Sequence, residues 1–201
     1  MGRSATHSNT HRNRDRGFSM VELAVSMTVL LILTAIAIPS LMRSLRTYQL
    51  NDTAARLSDM LKFTRFEAVR RNTPVALRIN NPSGSDWIVW ADTVANSTLD
   101  PTEKQILITG FATLLPSGAP PSSATILASL GTTSSLTTLS GISPATISFD
   151  ARGAVLPLAA YVLYIGSATN PDFGYRAVIL LPSGAVQIWT ASAGGTWQRI
   201  G

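Results

Sequence analysis

The chain has 201 residues, 45% of them hydrophobic and only 13% charged, about half the usual charged share, and its mean hydropathy is +0.22. This is the length of one domain, or of one domain with an appendage. Cysteine is absent, and both histidines, His7 and His11, lie in the first seventeen residues. That excludes disulfides, thiolate metal sites and cysteine nucleophiles and, if the segment is removed, zinc sites of the usual types and histidine acid–base chemistry as well.

Residues 1–17 are polar and basic, with Arg3, Arg12, Arg14 and Arg16 against Asp15. Without apolar periodicity they are expected to be disordered. They hold much of the formal charge of +5; residues 18–201 carry 12 basic and 10 acidic side chains. The high isoelectric point is therefore partly a property of this segment and is no nucleic-acid signature of the whole chain.

From Leu23 to Met42 no residue is charged. As a helix this run spans roughly 30 Å, one hydrocarbon core. The preceding arginines predict a cytoplasmic N-terminus and an exported C-terminal part. Three readings compete. One is a plain membrane anchor. Another is a secretory signal peptide, cut after Ala35-Ile36-Ala37, against which stand the nearby Pro39 and the charge of Glu22. The third uses Glu22. An unpaired carboxylate at the edge of an apolar helix costs on the order of 2–3 kcal/mol. A cut between Gly17 and Phe18 would create an ammonium four residues before it. In a bundle of such helices, Glu22 of one subunit can meet the terminal ammonium of another and select an axial register.

The run Arg16-Gly17-Phe18-Ser19-Met20-Val21-Glu22-Leu23, followed by an apolar helix and Pro39, resembles the leader junction of type IV pilins and pseudopilins. The resemblance implies that a membrane peptidase cuts after Gly17 and methylates Phe18. It also implies that Glu22 directs assembly with other pilin-like subunits, and makes Pro39 a candidate helix hinge.

Leu50, Ala54, Leu57, Leu61 and Ala68 form one helical stripe. One helix is therefore predicted from about Phe18 to Arg71, ended by Asn72-Thr73-Pro74. Between Arg43 and Arg71 stand seven basic and three acidic residues. Arg65, Arg70 and Arg71 cluster near Phe63 and Phe66, either as a solvated face or as a contact to acidic neighbours, phospholipid head groups or DNA.

After Pro74 the pattern is β. Strands are predicted at Val75–Ile79, Trp87–Trp90, Gln105–Thr109, Phe111–Leu115, Thr146–Phe149, Ala154–Leu156, Tyr161–Ile165, Tyr175–Leu181, Ala185–Thr190 and Thr196–Ile200. Residues 116–145 carry no charge and read as a long loop with one or two short strands. Trp87 and Trp90, three apart, face opposite sides of a strand, one to the core and the other to a subunit contact. The elements sum to an α+β chain: leader 1–17, transmembrane half-helix 18–42, amphipathic half-helix 43–72 and β-rich domain 73–201.

Arg65-Phe66-Glu67-Ala68-Val69-Arg70-Arg71-Asn72, Pro74-Val75-Ala76-Leu77 and the Trp-rich strand ending in Asp92 are similar to the GspH/FimT pseudopilins. Ile147 to Gly153 and Arg176 to Val186 are more loosely similar to their later hairpins. The resemblance implies a structural subunit of a type II secretion pseudopilus, in the inner membrane with a periplasmic globular domain. A minor pilin and a DNA-binding pilin for DNA uptake are the alternatives. Residues 72–201 carry five basic and six acidic groups, a poor surface for phosphate. Nucleotide-loop and nucleophile-elbow patterns are absent from the sequence, so neither an enzyme nor a cofactor is expected. Asp86, Asp92, Asp100 and Glu103 lack the spacing of a calcium loop, and loop solvation is expected of them; no metal site is expected.

Overall fold

The computed structural model describes residues 18–131 and 135–200. The expectation of disorder for 1–17, and Gly17 itself, lie outside the described residues. The chain divides into two compact units, one ending at Leu41 and one beginning at Met42. A single helix, α1 (Met20–Arg71), contributes to both.

In the first unit every described residue is exposed. This helix is long and apolar enough to cross a membrane. Its hydroxyls satisfy themselves within the helix: Ser26, Thr28 and Thr34 donate to the carbonyls of Glu22, Ala24 and Leu30 at 2.7, 2.8 and 2.7 Å. A hydroxyl bonded in this way needs no water, as a helix in apolar surroundings would require.

In the second unit, α1 buries the expected stripe, with Leu50, Ala54, Leu57, Leu61 and Ala68 almost inaccessible and Met60 added to it. The helix ends because Asn72 takes φ 51°. The Thr73 N–H then reaches back to the Ala68 carbonyl at 3.2 Å and the Asn72 N–H to the Val69 carbonyl at 3.2 Å. That is a left-handed cap in which asparagine replaces the usual glycine, and Pro74 prevents continuation.

Two antiparallel sheets follow. The first contains β1 (Val75–Asn80), β2 (Trp87–Asp92), β3 (Gln105–Ile108), β6 (Ala145–Phe149) and β7 (Val155–Leu156), in the order β3-β2-β1-β6-β7. The second contains β4 (Thr113–Leu115), β8 (Tyr161–Gly166), β9 (Tyr175–Leu180), β10 (Val186–Ala191) and β11 (Gln198–Ile200), in the order β11-β10-β9-β8-β4. A short β5 (Thr137–Thr138) runs parallel to β8. The inward residues Leu77, Ile79, Val89, Ile147 and Phe149 of the first sheet and Leu163, Ile165, Val178 and Leu180 of the second share one core with the α1 stripe.

β8 and β9 are buried along their whole length, so their sequences run apolar without alternation. Their other face makes a second core with Ile126, Trp189 and Trp197. Described residues of the uncharged 116–145 segment cover it, among them Ile126, Leu130 and Leu136. A short helix, α2 (Ala124–Ser129), inserts Ile126. The Trp197 indole donates to the Pro121 carbonyl at 3.1 Å, and Ser140 Oγ accepts the Tyr164 N–H at 2.9 Å. The segment lacks charge because it is a lid on apolar surface. The expectation of a long loop with one or two short strands holds for β5 and is corrected by α2, a helix of about one turn and a half, too short to show a period.

The tryptophan expectation is also corrected. Trp87 is in the main core, but Trp90 is equally buried, on the opposite sheet face between Arg78 and Gln105 in register.

The turn Asp150–Gly153 and the turn at Gly184 close over Arg65. Gly184 has φ +78°, and a Cβ there would meet the Gly153 carbonyl and sit 2.6 Å from Arg65 Nε. Gly184→Ala therefore combines backbone strain of about 1–3 kcal/mol with overpacking of about 1–3 kcal/mol. Thermal unfolding of the full chain in detergent should show a loss in that range. An unchanged midpoint would mean that the turn relaxes away.

Candidate functional site

Phe18 precedes the helix and is 77% exposed. Ser19 starts α1: its Oγ accepts the Val21 N–H at 3.3 Å and its carbonyl the Leu23 N–H at 3.0 Å. Serine favours this position because its oxygen satisfies a first-turn amide. Glu22 stands in that first turn, where unpaired amides favour a carboxylate. Among the described residues it has no ion-pair partner. Phe18 and Glu22 thus lie at the start of the apolar stretch of α1 whose residues are all exposed, reachable by another molecule.

Pro39 sits inside α1 without interrupting it. It has no N–H to give the carbonyl one turn before it, so the helix is weakened there yet remains helical.

Arg65, Arg70 and Arg71 occupy the other end of α1, and the structure puts them to different uses. Arg65 Nε donates to the Gly153 carbonyl at 3.0 Å. Arg70 clasps Glu67 through two bonds of 3.1 and 2.7 Å, and Arg71 Nε reaches the same carboxylate at 2.9 Å. Arg71 Nη1 also donates to the Thr93 carbonyl at 2.8 Å. The Arg70 hydrogen bonds hold Glu67 below the usual carboxylate range, against its burial, and Arg71 adds to them. Arg65 and Arg71 tie the helix to the loops, while Arg70 bonds only Glu67 of the same helix. The pairing was visible in the sequence, since Glu67 stands three and four residues before its partners, where helical side chains meet.

Two other carboxylates are buried. Asp92 accepts from Arg78 Nε at 2.6 Å and from the N–H groups of Asn96 and Ser97 at 3.2 and 3.0 Å. Glu103 accepts from the N–H groups of Thr93, Val94 and Asp100 at 2.6, 3.1 and 3.2 Å. For these two, the expected loop solvation is corrected: they organise the 93–103 loop from inside. Among the described residues, no three metal-ligating side chains cluster. Arg176 is buried without a carboxylate partner among the described residues. Its Nε donates to Asn51 Oδ1 at 2.6 Å and its Nη1 to the Tyr175 carbonyl at 2.9 Å. Burial lowers its pKa.

A long helix with a charge-free run from Leu23 to Met42 behind a Gly-Phe junction, followed by a β-sheet unit, defines a pilin-like subunit. Residues 53–184 match the family described as "Type II transport protein GspH", and residues 12–38 match the "Prokaryotic N-terminal methylation motif". The chain belongs to the GspH family. It is 30% identical over 89 residues to "Pilin-like protein PilA1" of Thermus thermophilus, a match covering 44% of this chain and 56% of that protein. The chain thus spans little more than half the length of that relative. Two crystal structures of the type IV minor pilin FimU of Pseudomonas aeruginosa are similar, at 20% and 18% identity. They cover 69% and 70% of this chain and 91% and 88% of FimU, each with a TM-score of 0.44.

Proposed function

We propose that this chain is a minor pseudopilin of a type II secretion system. In this reading it is cut after Gly17, methylated on Phe18 and held in the inner membrane by residues 18–42. Its β-rich unit lies in the periplasm, and Glu22 recruits it into a short fibre with other pilin-like subunits. A prepilin peptidase that also methylates is its processing partner. The observation that carries the reading is the junction: Gly17-Phe18 and Glu22 at the head of a helix with its apolar surface exposed, within a stretch that matches the N-terminal methylation motif. The GspH match favours secretion, while the names of PilA1 and FimU favour a role in type IV pili.

Mass spectrometry of the membrane form tests the reading, with a methylated Phe18 as the expected first residue. Gly17→Glu should leave the chain full length, because the residue before the cut must be small and pliable. A mature start at Ile38 would instead establish an ordinary signal peptide. Loss of protein export on deletion, with piliation intact, separates the secretion role from the pilus role.

The DNA-binding alternative draws no support from the arginines, since Arg65, Arg70 and Arg71 are engaged within the fold. Binding of duplex DNA at physiological salt should be no stronger than non-specific contact, weaker than roughly 10⁻⁴–10⁻⁶ M. A tighter, steeply salt-dependent affinity, lost on replacing the three arginines, would promote DNA uptake instead.

A further inference from the structure

The basic residues along α1 fall into two groups. From Arg56 onward all but Arg65 are ion-paired, Arg56 with Asp52, Lys62 with Asp59, and Arg70 and Arg71 with Glu67, while Arg65 donates to a backbone carbonyl. Arg43 and Arg46 are not ion-paired among the described residues. They follow directly on the charge-free run, which ends at Met42. Arg46 is four residues beyond Met42, about 6 Å along a helix axis. The interfacial layer outside the hydrocarbon core is about 5–8 Å thick on each side, so both arginines stand at head-group depth. Arginine is disfavoured on an exported flank, and two of them there call for a role.

Arg46 is held in place. Its guanidinium lies 4.5 Å from the Phe111 ring centroid, and Nη1 donates to Gln49 Oε1 at 3.2 Å. Phe111, between β3 and β4, packs edge-on against Phe173 with centroids 5.1 Å apart. Phe173 belongs to the 3-10 turn Pro171–Phe173 before β9. Both rings are half-buried. Tyr48 nearby in α1 is 68% exposed, and aromatic side chains with a polar tip favour the interfacial layer. Opposing charges stand nearby: Asp172 in the Phe173 turn, and Asp86 beside Gly84 and Ser85, which share the Phe111 cleft.

We infer that this end of the folded unit is a docking surface for the phosphates of anionic phospholipids, with Arg43 and Arg46 as the phosphate-binding groups and the Phe111–Phe173 pair as the rest that fixes Arg46. The inference rests on the membrane reading proposed above. A guanidinium suits this ligand because it is always charged and offers paired donors to phosphate. Docking would hold the unit against the bilayer until the subunit is extracted into a fibre.

The lack of cysteine allows a single labelling site. Ala168→Cys places a fluorophore on an exposed residue of the cleft that Phe111 lines. Val94→Cys, beside the Thr93 carbonyl that Arg71 holds, is the control; Arg46 and Arg71 are about 37 Å apart along a helix. The full chain is reconstituted into vesicles of phosphatidylcholine, with or without phosphatidylglycerol, containing nitroxide head groups as quenchers. Flotation reports insertion separately. The expected result is quenching at Ala168→Cys roughly threefold stronger with phosphatidylglycerol than without, lost in an Arg43→Gln, Arg46→Gln variant that still floats, and none at Val94→Cys. A floating chain whose Ala168 probe is quenched no more than the control overturns the docking surface. So does an unchanged probe together with weaker cross-linking of that variant to a second subunit, which would assign the arginines to an acidic protein face. A chain that does not float overturns the membrane reading itself, and the docking with it.

Discussion

Glu22→Ala should be inserted and processed normally and yet fail to enter a fibre. Insertion depends on the charge-free run and the basic leader, and both survive the change. Removing the carboxylate makes membrane residence cheaper, by about 2–3 kcal/mol on insertion scales. What is lost is the partner of a neighbour's terminal ammonium. Leaving one member of a buried pair alone costs roughly 3–5 kcal/mol, about two to three and a half orders of magnitude in association at about 1.4 kcal/mol per tenfold. Cross-linking to other pilin-like subunits should fall accordingly, while the mass of the processed chain stays that of a methylated Phe18 start with alanine at position 22. Normal cross-linking would refute the role of Glu22 in setting register. A block in processing would show instead that the peptidase reads this carboxylate.

Much of the fold was legible because local chemistry and burial agree along most of the chain. The α1 stripe has the helical period, and only one face of that half-helix meets the sheets. β1 alternates buried and half-buried residues for the same reason. The helix start was placed two residues early, at Phe18 rather than Met20, because the apolar pattern extends past the Ser19 cap. What the sequence concealed lies where an element is buried twice. A period-two argument expects one of Trp87 and Trp90 at a surface, but both are buried, because the sheet face of Trp90 also carries the buried Asp92 and the half-buried Arg78. The 116–145 segment looked like a loop because serine, threonine and alanine carry little periodic signal. Its function as a lid depends on tertiary contacts with Trp197 and Tyr164 that local reading does not see.

The candidate site divides in the same way. The junction motif is visible in the residues themselves because it is local: Gly17, Phe18 and a carboxylate four residues on, within a stretch that matches the N-terminal methylation motif. The basic cluster is visible only in part. Arg65, Arg70 and Arg71 read as a contact surface; the Glu67 pairing is local, but only the fold shows the Gly153 and Thr93 carbonyls taking up donors of Arg65 and Arg71. Meanwhile Arg43 and Arg46, unremarkable as single letters, stand out once their downstream counterparts are seen to be paired.

Asp92→Ala should be among the most destabilising single changes in the folded unit. The side chain has no exposed surface, and Arg78, one quarter exposed, bonds it at 2.6 Å. It also receives the N–H groups of Asn96 and Ser97, which helps hold Ala95 and Ser97 at φ 59° and 66°, a region that L-residues avoid. Removal leaves a partly buried guanidinium and two amides without their acceptor, at a cost of about 3–5 kcal/mol. At about 2–4 °C per kcal/mol for a unit of this size, Tm should fall by roughly 10 °C. The pH dependence has a definite sign. Burial raises the pKa of Asp92, but the Arg78 hydrogen bond and the Ser97 amide outweigh it, and the folded value lies below the usual one. Its contribution is thus complete above about pH 3.9, the ordinary aspartate value, and is lost as the pH falls through the folded pKa. Glu67, also lowered, loses its contribution in the same direction below about pH 4.3. Asp92→Asn keeps the shape and one acceptor but not the charge. It should fall between wild type and Asp92→Ala at neutral pH and show a shallower acid limb. Tryptophan fluorescence during thermal unfolding of the full chain in detergent reads both effects, since Trp90 lies two residues away. An Asn variant with the wild-type acid limb would mean that the Arg78 bond is no stronger folded than the water it replaced.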